Sequence, residues 1–256
     1  MKKIIKKFYF LLLKYINPKV DKNTDKLTHY GTKYGGYDIV DNQKIFNVIS
    51  CGLGEDASFD IEIINAKNCK VIAVDPTPRA ATHFKTIMEN IGNSRKTDYS
   101  NDGFQENSAY NLEKINKRNY KLIDSAVFDK SKKQIKLFFP KNENHVSASL
   151  DLTNKYSENF FLANCISIKE ILNKFEISSL DVLKLDVEGA EIHIIKDILD
   201  DRIFPNQLLV EYTHIRSINF FQHLKIFFIH RSLKKVGYKL IKINEKGDFT
   251  YLLKNN

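Results

Sequence analysis

From Ile45 onward, short apolar runs alternate with stretches patterned at helical spacing. The runs "IFNVIS", "KVIAVD", "YKLIDSAVF", "LDVLKLD" and "QLLVEY" are nearly continuous in apolar residues, as strands buried on both faces must be. The intervening stretches carry apolar residues on one helical face. "ASFDIEIINA" places Phe59, Ile63 and Ala66 at i, i+4 and i+7. "PRAATHFKTIMENI" begins with Pro78, suited to a first helical turn. "IKEILNKF" follows Ser167 and Glu170, which are spaced as a capping box, and "AEIHIIKDIL" follows the fourth strand. "INFFQHLKIFFIHRSLKKV" is a basic, aromatic helical stretch with more apolar surface than a lone amphipathic helix needs, which leaves a homo-oligomer open. "YKLIKIN" and "FTYLLK" then close the chain as a hairpin. Such alternation predicts an α/β fold, a mainly parallel sheet with helices on both faces, and ligands at the carboxyl ends of its strands.

Other stretches are less patterned. "KQIKLFFP" alternates with period two and is expected to form a small added edge strand. Residues 93–119 are polar and are expected to form a short helix and loops over the site, and "NENHVSASLD" is expected to be a polar loop. The opening "MKKIIKKFYFLLLKYINPKV" is basic and apolar, but its longest apolar run, Phe8 to Leu13, is far short of the roughly 20 residues a spanning helix needs. No small-residue cleavage site follows it, so a secretory signal is not expected. Residues 1–30 are therefore expected to be a basic amphipathic helix and a polar linker, and residues 31–256 the catalytic domain. The helix, residues 2–19, could lie on an anionic membrane face or pack against protein.

The chain has 256 residues and a formal charge of +9, part of it in the opening segment. No arginine-rich stripe or aromatic-basic repeat suggests a nucleic-acid groove, so no nucleic-acid partner is expected. Cys51, Cys69 and Cys165 are odd in number and lack metal or redox spacing, and are expected to be core thiols in a reducing compartment. The protein is expected in the cytoplasm, on the inner membrane face if the opening helix binds lipid.

Gly52-x-Gly54-x-x-Ala57 satisfies the dinucleotide fingerprint, and Asp75 lies 21 positions beyond Gly54, where a ribose-binding acid is needed. The match fits a nicotinamide cofactor and S-adenosylmethionine alike. Charge favours the second. A pyrophosphate about 5 Å from Glu55 would cost roughly 3 kcal/mol at an effective dielectric near 20. The helix terminus offers an anion only about 0.3–1 kcal/mol, up to ~2 in a partly buried site. A ligand with an ammonium and a sulfonium would instead welcome Glu55 and Asp56, and free loop N–H groups could receive its carboxylate. Glu55 or Asp56 could also simply cap the helix.

"VLKLDVEGAE" carries Asp186, Glu188 and Glu191 after an apolar strand, with Gly189 allowing a tight turn. "LLVEYTH" repeats the arrangement with Glu211 and His214 on the next strand. These acids are placed to face a substrate hydroxyl. Asp186, Glu188, Glu211 and His214 together have the ligand types of a hard-cation site, but the spacing fixes no geometry, and a divalent metal is not expected. His83 and His145 are read as surface or loop residues, with His145 in a loop that could close over the acceptor.

Taken in order and spacing, "CGLGEDASFDIE", "AVDPTPRA", "SAVF", "LKLDVEGAE" and "LLVEYTH" resemble the FkbM family of S-adenosylmethionine-dependent methyltransferases over residues 34–253. The resemblance implies the class I methyltransferase fold, a Rossmann-like sheet of seven strands with an antiparallel last strand. It also implies O-methylation of a hydroxyl on a sugar, glycan or related metabolite, in cell-envelope or secondary-metabolite biosynthesis. By matching position it implies that Gly52, Gly54 and Glu55 border the methionine moiety and Asp75 holds the ribose. Pro76, Ser125 and Ala126 would lie on the adenine side. Asp186 and Glu188 would sit near the transferable methyl, and either is expected to take the acceptor's proton, with His214 as the rival base. Glu211 and His145 are expected to face the acceptor. Two other functions remain open: a nucleotide-dependent oxidoreductase of NAD type, which keeps Gly52, Gly54 and Asp75, and a non-catalytic membrane-associated scaffold working through its opening segment.

Overall fold

A computed structural model describes residues 16–41, 43–142, 148–150, 156–213, 215 and 219–254. The expected opening helix lies almost wholly outside them, as do His145 and His214.

Two short strands, β1 (Leu27–Tyr30) and β2 (Tyr37–Val40), pair antiparallel. Then come β3 (Asn47–Cys51), α1 (Ser58–Lys67), β4 (Lys70–Val74), α2 (Pro78–Glu89), a 3-10 turn (Asn107–Ala109) and β5 (Tyr120–Ile123). An inserted sheet contains β6 (Ala126–Val127), β7 (Gln134–Pro140) and β8 (Tyr156–Ile166). The chain continues through α3 (Ile168–Lys174), β9 (Val182–Leu185), α4 (Glu191–Asp200), β10 (Gln207–Glu211), α5 (Phe220–Lys235), β11 (Tyr238–Ile243) and β12 (Asp248–Leu253).

The main sheet has seven strands in the order β11-β12-β10-β9-β3-β4-β5. Neighbours from β10 to β5 are parallel, and β12 runs antiparallel to both β10 and β11. The central parallel strands β3, β9 and β10 are buried on both faces, so successive residues enter opposite cores. Ile49 and Cys51 of β3 join one core with Leu183, Ile194, Ile198, Ile226 and Leu233, while Val48 joins the other with Phe59, Ile63, Ile64 and Ile87. All three cysteines are free thiols, Cys51 and Cys69 buried and Cys165 half-buried.

The helices expected between the strands of the main sheet and the closing hairpin are present, while residues 93–119 hold a 3-10 turn where a short helix was expected. The Ser167–Glu170 capping box forms in both directions: the Ser167 hydroxyl accepts from Glu170 N, and Glu170 Oε2 accepts from Ser167 N at 2.7 Å.

Three expectations need correction. "KQIKLFFP" is not an edge of the main sheet. As β7 it pairs with the eleven-residue β8, which no period-two pattern announced because most of its residues are exposed or half-exposed on both faces. The single third strand expected over "YKLIDSAVF" ends at Ile123, and Ala126–Val127 crosses into the inserted sheet beside Cys165–Ile166. The stretch read as a linker runs into β1, and its start is tied to the main sheet: Asp21 N donates to Leu240 O at 2.8 Å, and Asp21 Oδ2 accepts from Leu240 N at 3.0 Å.

The β1–β2 hairpin is joined to the main sheet by a side chain acting as a strand. Val40 N donates to Gln207 Oε1 at 2.7 Å, and Gln207 Nε2 donates to Val40 O at 3.0 Å. Gln207 is fully buried. Gln207→Ala would leave both Val40 backbone groups buried and unsatisfied, and should lower stability by about 3 kcal/mol in urea unfolding. A loss near zero would show that the hairpin does not depend on this clasp.

Candidate functional site

The strand order reverses between β3 and β9, and their carboxyl ends lie side by side. Asp186 N donates to Cys51 O at 3.1 Å, which brings the two backbones together beyond the sheet. Gly52 has φ +87°, and a Cβ there would lie 1.9 Å from the Asp186 carbonyl oxygen. Glycine at 52 is therefore demanded by close backbone approach as well as by dihedral angle. Beneath this contact, buried Lys184 donates from Nζ to Gly52 O at 2.6 Å and lies 3.9 Å from Asp186 Oδ2. A lysine inside an otherwise apolar strand was the available sequence signal for it.

The loops beyond these strands enclose a cavity of about 320 Å³. Its walls bring together Gly52, Gly54, Glu55, Asp75, Pro76, Ala126, Asp186, Glu188 and Glu211, each singled out in the sequence. Ser125 does not line it; its hydroxyl donates to Asp124 O at 2.7 Å. Val127, Ile135, Leu137 and Leu150 form an apolar wall that the sequence did not foretell, because it comes from the inserted sheet and the loop after β7.

The glycine loop differs from expectation in its charges. Glu55 is paired with Arg79 at 2.7 Å, so it does not act as an isolated negative charge against a phosphate. Asp56 Oδ1 accepts from Ser58 N at 2.9 Å and Oδ2 from Thr32 Oγ1 at 2.5 Å, which fixes it at the start of α1. The stronger obstacle to a pyrophosphate is Asp75. Its Oδ2 accepts from Leu53 N and Gly54 N, both at 2.9 Å, occupying the loop amides that a phosphate would use. Its Oδ1 accepts from Thr77 N at 2.8 Å and Thr77 Oγ1 at 2.6 Å. A carboxylate has about four acceptor positions, so a ribose hydroxyl would have to displace one of these bonds. The same amides are not free for a ligand carboxylate.

Across the cavity, Asp186, Glu188 and Glu211 meet two residues missed in the sequence, Asp248 and Lys246. Glu211 and Asp248 are register partners on β10 and β12. Buried Asp248 accepts from Asn244 Nδ2 at 2.7 Å and lies 3.1 Å from Lys246 Nζ. Burial pushes the Glu211 carboxyl up to about 8, helped by the carboxylates of Asp186, Asp248 and Glu188 and opposed by Lys246. Burial also raises Asp186, against the pull of Lys184. Glu188 has φ +48° and Gly189 φ +114°, a left-handed pair that turns the chain from β9 into α4. Glu188 O accepts from Leu150 N and Ser149 Oγ, both at 3.2 Å, tying this turn to the apolar wall. Glu191 braces the same turn, since its Oε1 accepts from Gly189 N at 3.0 Å and Thr213 Oγ1 at 2.6 Å.

His83 is not the surface residue expected. It is buried, 2.9 Å from the Tyr110 hydroxyl, and burial lowers its pKa. Tyr110 in turn accepts from Ala57 N at 3.0 Å, so His83 supports the start of α1. Among the described residues, no three His, Cys, Asp or Glu side chains converge on a metal position.

The raised Glu211 has a sign-definite consequence. Between its ordinary 4.5 and about 8, the folded chain keeps a proton that the unfolded chain has lost. Glu211 therefore makes stability fall as pH rises through that window. Glu211→Gln, neutral throughout, should flatten this dependence in urea unfolding at a series of pH values. Parallel pH curves for both proteins would mean that Glu211 ionises normally.

Two loops crossing at a chain reversal, a carboxylate on the glycine loop's amides and a carboxylate cluster facing it form one enclosed site. The family model for the methyltransferase FkbM domain matches residues 35–240, which include every one of these elements except Lys246 and Asp248. No curated protein and no solved structure matches the chain. The match spans most of the chain, and the protein belongs to the FkbM methyltransferase family.

Proposed function

We propose that the protein is an S-adenosylmethionine-dependent O-methyltransferase on the class I methyltransferase fold, acting on a hydroxyl of a sugar, glycan or related metabolite. The observation that carries this reading is the cavity's charge pattern. Asp186 and Glu188 face the cavity, while the glycine-loop amides are already bonded to Asp75. That pattern suits a ligand bearing an ammonium and a sulfonium better than one bearing a pyrophosphate.

S-adenosylmethionine supplies an electrophilic methyl group on a sulfonium that becomes a neutral thioether on transfer. The chain's own residues do the rest. Gly52 and Gly54 keep that wall of the cavity free of side chains, and the apolar wall from Ala126 to Leu150 suits an adenine ring and excludes water. Asp186 or Glu188 takes the acceptor hydroxyl's proton as the new carbon–oxygen bond forms. Burial makes Asp186 a stronger base than an exposed carboxylate, and Lys184 keeps its ionised form accessible. Glu211, protonated at neutral pH, is a hydrogen-bond donor to an acceptor oxygen rather than a base. Holding the hydroxyl in line with the methyl supplies much of the rate.

Calorimetry with S-adenosylhomocysteine and, separately, NAD tests the cofactor. Binding of the first and not the second is expected, and the reverse would turn the reading to an oxidoreductase. Candidate glycans incubated with S-adenosylmethionine should gain the mass of one methyl group. Asp186→Asn with Glu188→Gln should lower turnover at saturating donor by about 100-fold or more, a loss beyond any weakening of donor binding that the missing charges cause. Wild-type turnover in the double variant would remove these residues from the proton transfer.

A further inference from the structure

A helix that packs on a sheet turns an apolar stripe inward and a polar face outward. α5 departs from this. Its buried stripe is Ile226, Ile229 and Leu233 with His223 and His230. On the opposite side Phe221, Lys225, Phe228, Ser232 and Lys235 follow at spacings of four, three, four and three, which aligns them along the helix. Phe221 is 74% exposed and Phe228 61%. The helix also carries Arg231 and Lys234 and has no carboxylate. Lys234 is held by Asp21 at 2.7 Å. Among the described residues, no carboxylate is paired with Lys225, Arg231 or Lys235.

The opening segment meets the same helix. Asn17 Oδ1 and His223 Nδ1 are hydrogen-bonded at 3.0 Å near the start of α5, and Asp21 meets Lys234 at its end. Residues 17–21 thus run beside α5, and in the sequence they are preceded by residues 1–16. Those preceding residues include Lys2, Lys3, Lys6, Lys7 and Lys14, with Phe8, Phe10 and Leu11 to Leu13, and no acid.

We propose that the outer face of α5 is a docking surface for an anionic lipid bilayer. The two phenylalanines enter the boundary between headgroups and acyl chains, and the cations around them meet acidic headgroups. No described helix is long and apolar enough to cross a membrane, so α5 lies in the plane of the surface. Charge argues against two other occupants. Folding the opening segment over this face would set its five lysines against the cations of α5 with no carboxylate between them. A second copy packed α5 to α5 would oppose the same cations across a two-fold axis.

The test is co-sedimentation of the full-length protein with vesicles of phosphatidylcholine alone or mixed with phosphatidylglycerol. Binding to the mixed vesicles that weakens with salt is expected, with little binding to neutral ones. Phe221→Ser with Phe228→Ser, and separately Lys225→Glu with Lys235→Glu, should each lower partitioning by about tenfold or more. Ser232→Glu, on the same exposed line, should act in the same direction. All variants should keep the wild-type melting temperature and S-adenosylhomocysteine affinity, so failure of the methyl-transfer reading would leave the vesicle result standing. Wild-type partitioning by the α5 variants would assign lipid binding to the opening segment alone and overturn the proposal. So would no binding to either vesicle, or a dimer in sedimentation velocity that the same variants dissolve.

Discussion

Two strand ends approach at the centre of the sheet with no room for a side chain between them. The Gly52 backbone rests against the Asp186 carbonyl, and Lys184 bonds the Gly52 carbonyl from below. This contact fixes where the glycine loop and the acidic turn lie relative to each other, and therefore where the cavity opens. It also explains how a charged group tolerates burial. Lys184 has a carbonyl at hydrogen-bond distance, Asp186 as a nearby counter-charge and the Tyr37 ring 5.3 Å from its ammonium.

From that crossing the site divides into two chemistries. One side is a loop whose amides are satisfied internally by Asp75. The other is a set of carboxylates gathered at the carboxyl ends of β9 and β10 and on β12, where burial raises Glu211 and Asp186. The raised Glu211 reflects its burial first and the neighbouring carboxylates second. Glu211 thus holds its proton to a higher pH than an exposed carboxyl does.

Much of this was legible in the sequence because it is local. Continuous apolar runs gave the parallel strands, and the acids that follow them could only fall at the strands' carboxyl ends. The Ser167–Glu170 cap and the closing hairpin depend on residues a few positions apart. Where the pattern was weak, the expectation failed for a physical reason. β8 buries too little of either face to alternate, and β1 and β2 are only four residues each. His83 looked like a polar helix residue, but its partner, Tyr110, lies 27 positions away.

The sequence alone determined the α/β class, the succession of the main parallel strands along the chain and the positions of most acids around the site, since each follows from the hydrophobic period and from neighbouring residues. Tertiary structure decided the electrostatics. Glu55 is charged in the sequence but neutralised by Arg79 in the fold; Asp75 appeared free for a ribose but is held by four donors; Asp248 and Lys246 joined the site only because β12 inserts beside β10. Charges act through space and through the dielectric around them, and neither is encoded in the spacing of residues along a chain.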